Sequence, residues 1–289
     1  MTTLLPVAQP GNAAAALRNA VKENHALVIP GAYDAFSAKL VESAGFDAVY
    51  VGSYATAAAA YGMPDVGSLT LDQLVDHARK VASAVSAPVI ADAEGGFFEP
   101  GSIWRTVREF ERAGVAAIHI EDHAGGKHTN LPQRLIPLDQ MLARLRAALD
   151  ARSSPDFIIM ARTDAMWATH DEEEAIRRIK AFAEIGIEYI FANGATPETL
   201  RRIRKTVPAK YVTINHPAVR DRNEWNGAAD IVLDYGFCLQ AAAKSLTAAL
   251  SAYRTSSSFE TTNAYLEPAE VLEERLGYDA FTERANRYI

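Results

Sequence analysis

The sequence predicts an α/β protein built as a (β/α)8 barrel of the TIM type, and three observations carry that prediction. Eight short apolar runs of strand length recur along the chain, segments of helical periodicity lie between most of them, and the helix-to-strand junctions repeat a glycine. The runs cover residues 26–30, 48–52, 88–92, 117–121, 157–162, 189–193, 211–215 and 231–234. They are rich in Val and Ile and nearly continuous, which suits parallel strands buried on both faces. Helical patterns span 71–85, 103–113, 138–149, 172–184 and 197–204. The junctions read Glu42-Ser43-Ala44-Gly45-Phe46, Glu111-Arg112-Ala113-Gly114-Val115 and Glu184-Ile185-Gly186-Ile187, each glycine fitting the left-handed end of a helix. Strand number and spacing match the barrel. An open doubly wound sheet is the alternative, weakened because no Gly-x-Gly-x-x-Gly follows the first run.

Composition bounds the function. The chain has 289 residues, 49% hydrophobic and 22% charged, enough for one large core without disulfides or a structural metal. Cys238 is the single cysteine, so an intrachain disulfide and a Cys-rich cluster are excluded and a reducing compartment is expected. The net charge of -7 arises from 29 Lys and Arg against 36 Asp and Glu, spread without a basic stripe, which argues against nucleic acid. Residues 1–20 lack a signal-peptide pattern and no run spans a bilayer, so a soluble cytoplasmic protein with no membrane partner is expected. The domain reading is a catalytic barrel over 1–254 and a helical extension over 255–289, divided near the polar stretch Arg254-Thr255-Ser256-Ser257-Ser258. In the extension, 268–276 and 278–287 read as helices, with Pro268 at a start and Gly277 between them. Their apolar residues Val271, Leu272, Leu276, Tyr278 and Phe281 call for a partner on the barrel or on another subunit.

Barrel chemistry gathers where strands end. Taken in order, the runs end at Tyr33 and Asp34; Gly52, Ser53 and Tyr54; Asp92 and Glu94; Glu121, Asp122 and His123; Arg162 and Asp164; Asn193; Asn215 and His216; and Asp234 and Tyr235. The strongest local signal is Asp92-Ala93-Glu94-Gly95-Gly96. Carboxylates at i and i+2 leaving a strand point to one side, and the glycines let the chain turn beside them. Such oxygens suit a hard divalent cation, Mg2+ foremost and Mn2+ as an alternative, with Asp65 and Glu121 as further carboxylates. Arg162 offers a fork for a carboxylate or for a structural pair with Asp164 or Asp122. Gly52 and Ser53 can donate to a carboxylate or oxyanion. His119, inside an apolar strand, reads as a satisfied interior histidine, whereas His123, His128 and His216 stand in loops where acid-base work is open to them. Asp171-Glu172-Glu173-Glu174 reads as a helix start, and Cys238 as a packing residue.

These residues carry a resemblance. Pro30-Gly31-Ala32-Tyr33-Asp34-Ala35, Tyr61-Gly62-Met63-Pro64-Asp65, Asp92-Ala93-Glu94, Ile120-Glu121-Asp122 and Met160-Ala161-Arg162-Thr163-Asp164-Ala165 resemble, in order, motifs of the phosphoenolpyruvate mutase/isocitrate lyase superfamily, particularly its methylisocitrate lyase-like branch. The resemblance runs from about residue 12 to 255. It implies a (β/α)8 barrel that binds Mg2+ and cleaves a carbon-carbon bond of a small 2-oxo or 2-hydroxy di- or tricarboxylic acid through a metal-stabilised enolate. By motif position it implies Asp92 and Glu94 as metal carboxylates, Asp65 and Glu121 holding metal waters, and Gly52, Ser53 and Arg162 on a carboxylate. Tyr33, Asn193 and Asn215 are further expected substrate contacts. It also implies a homo-oligomer, a dimer of dimers with a late helix exchanged between subunits.

The departures from the family pattern shape the expected chemistry. Lyases of this superfamily carry Lys-Lys/Arg-Cys-Gly-His after strand four, with the cysteine as general acid; this chain reads Gly126-Lys127-His128-Thr129-Asn130-Leu131, with Thr129 in the cysteine's place. Asn193 stands where the lyases have Glu, and Glu94 where Asp is usual. Lys127, His128 and Thr129 are therefore the loop's candidate catalytic residues, and His123 or a water could also supply the proton. Oxaloacetate decarboxylation and phosphonopyruvate hydrolase or mutase chemistry are the enzyme alternatives. A catalytically silent carboxylate-binding barrel is the alternative of another class.

Overall fold

The structure is a computed structural model that describes residues 10–289. Eight parallel strands close a barrel in sequence order: β1 (Leu27–Ala32), β2 (Val49–Val51), β3 (Val89–Asp92), β4 (Ala117–Glu121), β5 (Ile158–Thr163), β6 (Tyr189–Ala192), β7 (Lys210–Ile214) and β8 (Ile231–Asp234). The β1–β8 ladder, Leu27 opposite Ile231, completes the closure. The predicted barrel is thus the observed one, and the open-sheet alternative is excluded.

Helices α1 (Pro10–Ala20), α2 (Ala35–Ser43), α3 (Ser53–Tyr61), α4 (Leu71–Ala84), α5 (Trp104–Arg112), α6 (Leu138–Ala151), α7 (Glu172–Glu184) and α8 (Pro197–Arg204) accompany the strands, and α9 (Phe237–Thr255) follows β8. Side-chain caps start several of them. Thr70 and Gln73 form a capping box on α4, and Asp171 caps α7 ahead of three glutamates, as the helix-start reading expected. Two layers of core result. Leu27, Ile29, Ile90, Met160, Phe191, Val212 and Leu233 fill the barrel interior, where Leu17 of α1 packs against them. Val75, Val107, Phe110, Leu145, Ile179 and Phe182 belong to the layer between sheet and helices. Burial of this kind is worth about 25 cal/mol per Å2 of apolar surface, so the two layers supply the main driving force for the fold.

Register brings the polar strand ends together. Asp92 lies opposite His119, and Glu121 opposite Arg162. Because alternate strand residues share a face, His119 and Glu121 both project into the barrel, as do Met160 and Arg162.

The compact units divide between Cys238 and Leu239, within α9, whereas the sequence reading kept the chain through 254 with the barrel. The second unit includes Leu239–Ile289 and contains α10 (Phe259–Asn263), α11 (Ala269–Leu276) and α12 (Tyr278–Ala285). Gly277 ends α11 with a φ of 81°, the left-handed conformation expected there. Among the described residues, no helix is long and apolar enough to cross a membrane.

Candidate metal and substrate site

The C-terminal ends of the strands enclose a cavity of about 400 Å3. Its floor is charged and buried. Asp92, at the end of β3, accepts from both the backbone N–H and the hydroxyl of Ser53, at 3.2 and 2.8 Å. Ser53 is the first residue of α3, so the positive end of that helix points at the carboxylate. The Ser53 donors expected to meet a ligand are therefore engaged with Asp92, and the Ser53 hydroxyl also lies 3.2 Å from Asp65.

Glu94 departs from the expected i, i+2 geometry. Its φ of 47° takes it out of the strand alternation, and its carboxylate turns to Lys127 Nζ at 2.9 Å. The donor atoms that converge instead, all within 4.8 Å of one another, belong to Asp92, His119 and Glu121. His119 was read as a satisfied interior histidine. Its Nε2 pairs with the Tyr50 hydroxyl at 3.0 Å, but its buried Nδ1 has no hydrogen-bond partner and lies 3.6 Å from Asp92. The i, i+2 spacing of His119 and Glu121 on one strand was the available signal for the pair, and the apolar neighbours of His119 masked it.

Lys127 carries its ammonium into this acidic set, 2.9 Å from Glu94, 3.2 Å from Glu121 and 3.7 Å from Asp65. Arg162 grips Asp164 through Nε and Nη2, at 2.7 and 3.1 Å, and reaches Glu121 through Nη1 at 3.2 Å. The structural pair with Asp164 is thus present, and Arg162 also lines the cavity. Asp122 pairs with Arg178 at 3.0 Å rather than with Arg162.

These neighbours set the charge states. Burial raises the Asp92 carboxyl, but His119, Lys127 and Arg162 outweigh it and hold it below the usual carboxylate range. Burial dominates at Glu121 and pushes its pKa up to about 7 against the pull of Arg162 and Lys127. Glu94 is also raised, by burial and then by Asp92. Burial lowers His119 to about 4, which leaves a neutral imidazole with Asp92 beside it. Lys127 and Arg162 are desolvated, yet the surrounding acids hold both cationic. The donor set, carboxylate oxygens with one imidazole and an unpartnered Glu94 Oε1, fits a divalent cation, and the Lys127 ammonium among the same acids marks the demand for positive charge.

Other expected residues divide. Gly52, Asn193, Asn215 and His216 line the cavity, and Asn193 Nδ2 donates to Asp164 at 2.9 Å. Tyr33 does not line it. The Asp34 capping box turns the chain into α2, and the Tyr33 backbone is bound to Ser37 and His77. Thr129 does not line it either, because its hydroxyl donates to the Gly126 carbonyl at 2.8 Å and closes a turn. Gly126 has a φ of 82° and a neighbouring Pro132 carbonyl 2.9 Å from where a Cβ would stand, so this loop conformation requires glycine. The loop residues that face the cavity are Lys127 and His128. His128 Nε2 lies 3.4 Å from Asp65, while His123 is tied to Asp164 and the Gly125 carbonyl. Cys238 is half-buried and burial raises its thiol, consistent with packing.

Above the floor stands a rim of rings, half-buried at Tyr54, Trp167 and Tyr235 and exposed at His128, whose mutual contacts the sequence reading did not anticipate. Tyr235 meets Tyr54 edge-on at 5.4 Å, Tyr54 lies 5.9 Å from His128, and His128 lies 5.2 Å from Trp167.

Comparison with known proteins agrees with this geometry. The family model described as phosphoenolpyruvate phosphomutase matches residues 17–252. The 2,3-dimethylmalate lyase of Eubacterium barkeri is 40% identical over 200 residues, 68% of this chain and 69% of that protein. The 2-methylisocitrate lyase of Shewanella oneidensis is 37% identical over 181 residues, 62% of each chain, so the match spans less than two thirds of that relative. A solved phosphonopyruvate hydrolase, in complex with oxalate and Mg2+, superposes with a TM-score of 0.86 at 26% identity, covering 96% of this chain and 99% of that one.

Proposed function

This chain belongs to the phosphoenolpyruvate phosphomutase family, within the methylisocitrate lyase-like part of its superfamily, and from that premise we propose a Mg2+-dependent carbon-carbon lyase acting on a small 2-oxo or 2-hydroxy carboxylic acid. The observation that carries this reading is the convergence of Asp92, His119 and Glu121 beside Arg162, at the cavity that Asp92 and Arg162 line. Asp92 and Glu121, with Asp65 and Glu94 around them, would hold the ion, and Mn2+ suits the same donors. Bound there, the ion supplies Lewis-acid stabilisation of charge developing on oxygen.

The chain's own residues do the rest. Arg162 is held rigidly by Asp164 and presents its remaining N–H groups to the substrate carboxylate. In the cleavage of a 2-hydroxy acid, the hydroxyl loses its proton and C2 becomes a carbonyl. The C2–C3 electron pair moves into a carbonyl attached to C3, and C3 then takes up a proton. His128 is the proton carrier in this reading, since it faces the cavity while Thr129 does not. The rim over the floor limits access of water.

Phosphonopyruvate hydrolysis is the second reading, favoured by the likeness to the hydrolase structure. Incubation with Mg2+ and oxaloacetate, methylisocitrate, 2,3-dimethylmalate, citramalate and phosphonopyruvate separates them. Release of a 2-oxo acid without phosphate supports the lyase. Phosphate from phosphonopyruvate alone supports the second reading, and no turnover together with no divalent-ion binding returns the chain to a silent barrel.

A homo-oligomer, arranged as a dimer of dimers, belongs to the same proposal. Leu246, Leu250 and Tyr253 recur on α9 at helical spacing and are exposed. Light scattering coupled to size exclusion should give the mass of a tetramer, and a monomer mass would remove this part of the proposal.

A further inference from the structure

We propose that Lys127 is a resident counter-ion which a divalent cation displaces, and that its released ammonium pairs with the second acid group of the substrate. The inference deepens the reading of the floor as the site of a divalent ion and of the first carboxylate of a 2-oxo or 2-hydroxy acid, and it rests on that reading.

Competition for the same oxygens is the first ground. Lys127 Nζ lies 2.9 Å from Glu94, 3.2 Å from Glu121, 3.7 Å from Asp65 and 3.5 Å from the Ser53 hydroxyl. Oxygens gathered round one positive centre are what a hard cation requires. Three of the four carboxyls assigned to the ion therefore already share one ammonium, and the fourth, Asp92, converges with Glu121 and His119. The ammonium is buried and desolvated, and the acids around it keep it charged and in place. An ion that takes Glu121 and its neighbours removes that hold and repels the ammonium across a short, poorly screened distance. The loop offers little resistance to the release. Between residues 124 and 136, Lys127 is the only buried residue, and Gly125 and Gly126 precede it with φ of 119° and 82°, so the lysine stem can be re-aimed without a side-chain clash in the two residues before it.

The substrate's charge is the second ground. Lys127 and Arg162 are the only Lys or Arg side chains lining the cavity among the described residues. Arg162 is committed, because Asp164 takes its Nε and Nη2, its Nη1 reaches Glu121, and its remaining N–H groups serve the first carboxylate. A second acid group entering without a cation would be desolvated and unpaired, which is strongly unfavourable. Lys127 can supply that cation only after another positive charge has taken its three acids. The ion and a diacid therefore favour each other's binding, and by linkage the effect is reciprocal. A monoacid gains nothing from the released ammonium, so the same lysine selects for the second acid group.

The test uses the full chain and two binding measurements that a merely structural lysine would move together. Titration with Mn2+ at pH 8, followed by the paramagnetic resonance of the free ion, reads the first. Calorimetry in saturating Mg2+ reads the second, with oxalate probing the floor alone and with lactate and malate, which differ only in a carboxylate on C3. In the parent protein malate should bind about tenfold or more tightly than lactate. In Lys127→Met, Mn2+ should bind about tenfold or more tightly than in the parent, while the malate advantage shrinks to about threefold or less with oxalate still bound. Lys127→Gln, uncharged and polar, should shift both quantities in the same directions. Mn2+ affinity that is unchanged or weakened in both variants overturns the counter-ion role and the inference with it. An absent malate advantage in the parent, or an undiminished one in the variants, overturns the pairing with the second acid group, the undiminished case passing that role to imidazoles such as His170 and His216 on the cavity wall. Each of these results leaves the floor reading in place, whereas failure of oxalate to bind the parent in Mg2+ overturns the floor reading as well.

Discussion

Replacing Lys127 by Met tests the electrostatic design of the site most sharply, because it removes one ammonium from among three carboxyls and keeps the length of the side chain. The Nζ lies 2.9 Å from Glu94, 3.2 Å from Glu121 and 3.7 Å from Asp65. At an effective dielectric constant of about 20, each such contact has a gross Coulomb energy of about 5 kcal/mol. Most of this is offset by desolvation, and the net cost of orphaning a buried charge is about 3–5 kcal/mol. Glu94 and Glu121 already hold their protons more tightly than usual, so proton uptake relieves part of the loss and the low end, about 3 kcal/mol, is expected. At about 2–4 °C per kcal/mol for a chain of this size, Tm without divalent ion should fall by about 6–12 °C. Mg2+ supplies the missing positive charge, so it should raise Tm more in Lys127→Met than in the parent protein. Scanning calorimetry with and without Mg2+ reads both quantities. A variant whose Tm lies within about 1 °C of the parent without metal, or whose response to Mg2+ is no larger, would refute this reasoning.

Further outcomes follow from the same geometry. Burial raises the Glu121 pKa to about 7 from an ordinary value of 4.5, so near pH 6 the folded protein carries a proton there that the unfolded chain has lost. Stability from this group is therefore lost as pH rises from about 4.5 through 7, while divalent-ion affinity rises over the same window, because the ion displaces that proton. Titration of Mn2+ between pH 5.5 and 8, expected to show about tenfold gain per pH unit that levels off above 7, would count against the account if affinity were flat. Asp92→Ala should abolish divalent-ion binding and turnover, whereas Cys238→Ser should leave both nearly unchanged; equal losses in a parallel assay would mean that the thiol has been misplaced. His128→Ala should reduce kcat by about 100-fold or more while Thr129→Ala stays within a few-fold, and the reverse order would return the proton step to Thr129.

Much of the architecture was legible because it is written in local pattern. The Val- and Ile-rich runs and the glycine junctions located all eight strands to within a residue or two, and the 172–184 and 197–204 helices to the residue. What escaped had a cause beyond its own segment. Helix α3 was not among the predicted helical patterns, since Gly52 gives it no side-chain cap and five of its nine residues are alanine. That helix start decides the fate of Ser53, whose donors go to Asp92. The site shows the same division. Strand-end positions identified Asp92, Glu121, Arg162 and Asn193 because register alone brings them together. The positive φ of Glu94, the turn that uses up the Thr129 hydroxyl and the capping box that holds Tyr33 away depend on contacts several residues along or across the barrel. The Tyr54–His128–Trp167 contacts join residues far apart in the chain, and no spacing announces them.

The central claim is metal-dependent cleavage, and detection of the products reads it directly. With Mg2+ and the panel of 2-oxo and 2-hydroxy acids, proton NMR should show a 2-oxo acid and its partner fragment appearing in equal amounts, and EDTA should stop both. Cleavage that continues undiminished in EDTA, or no product from any member in a protein that binds no divalent ion, would contradict the account.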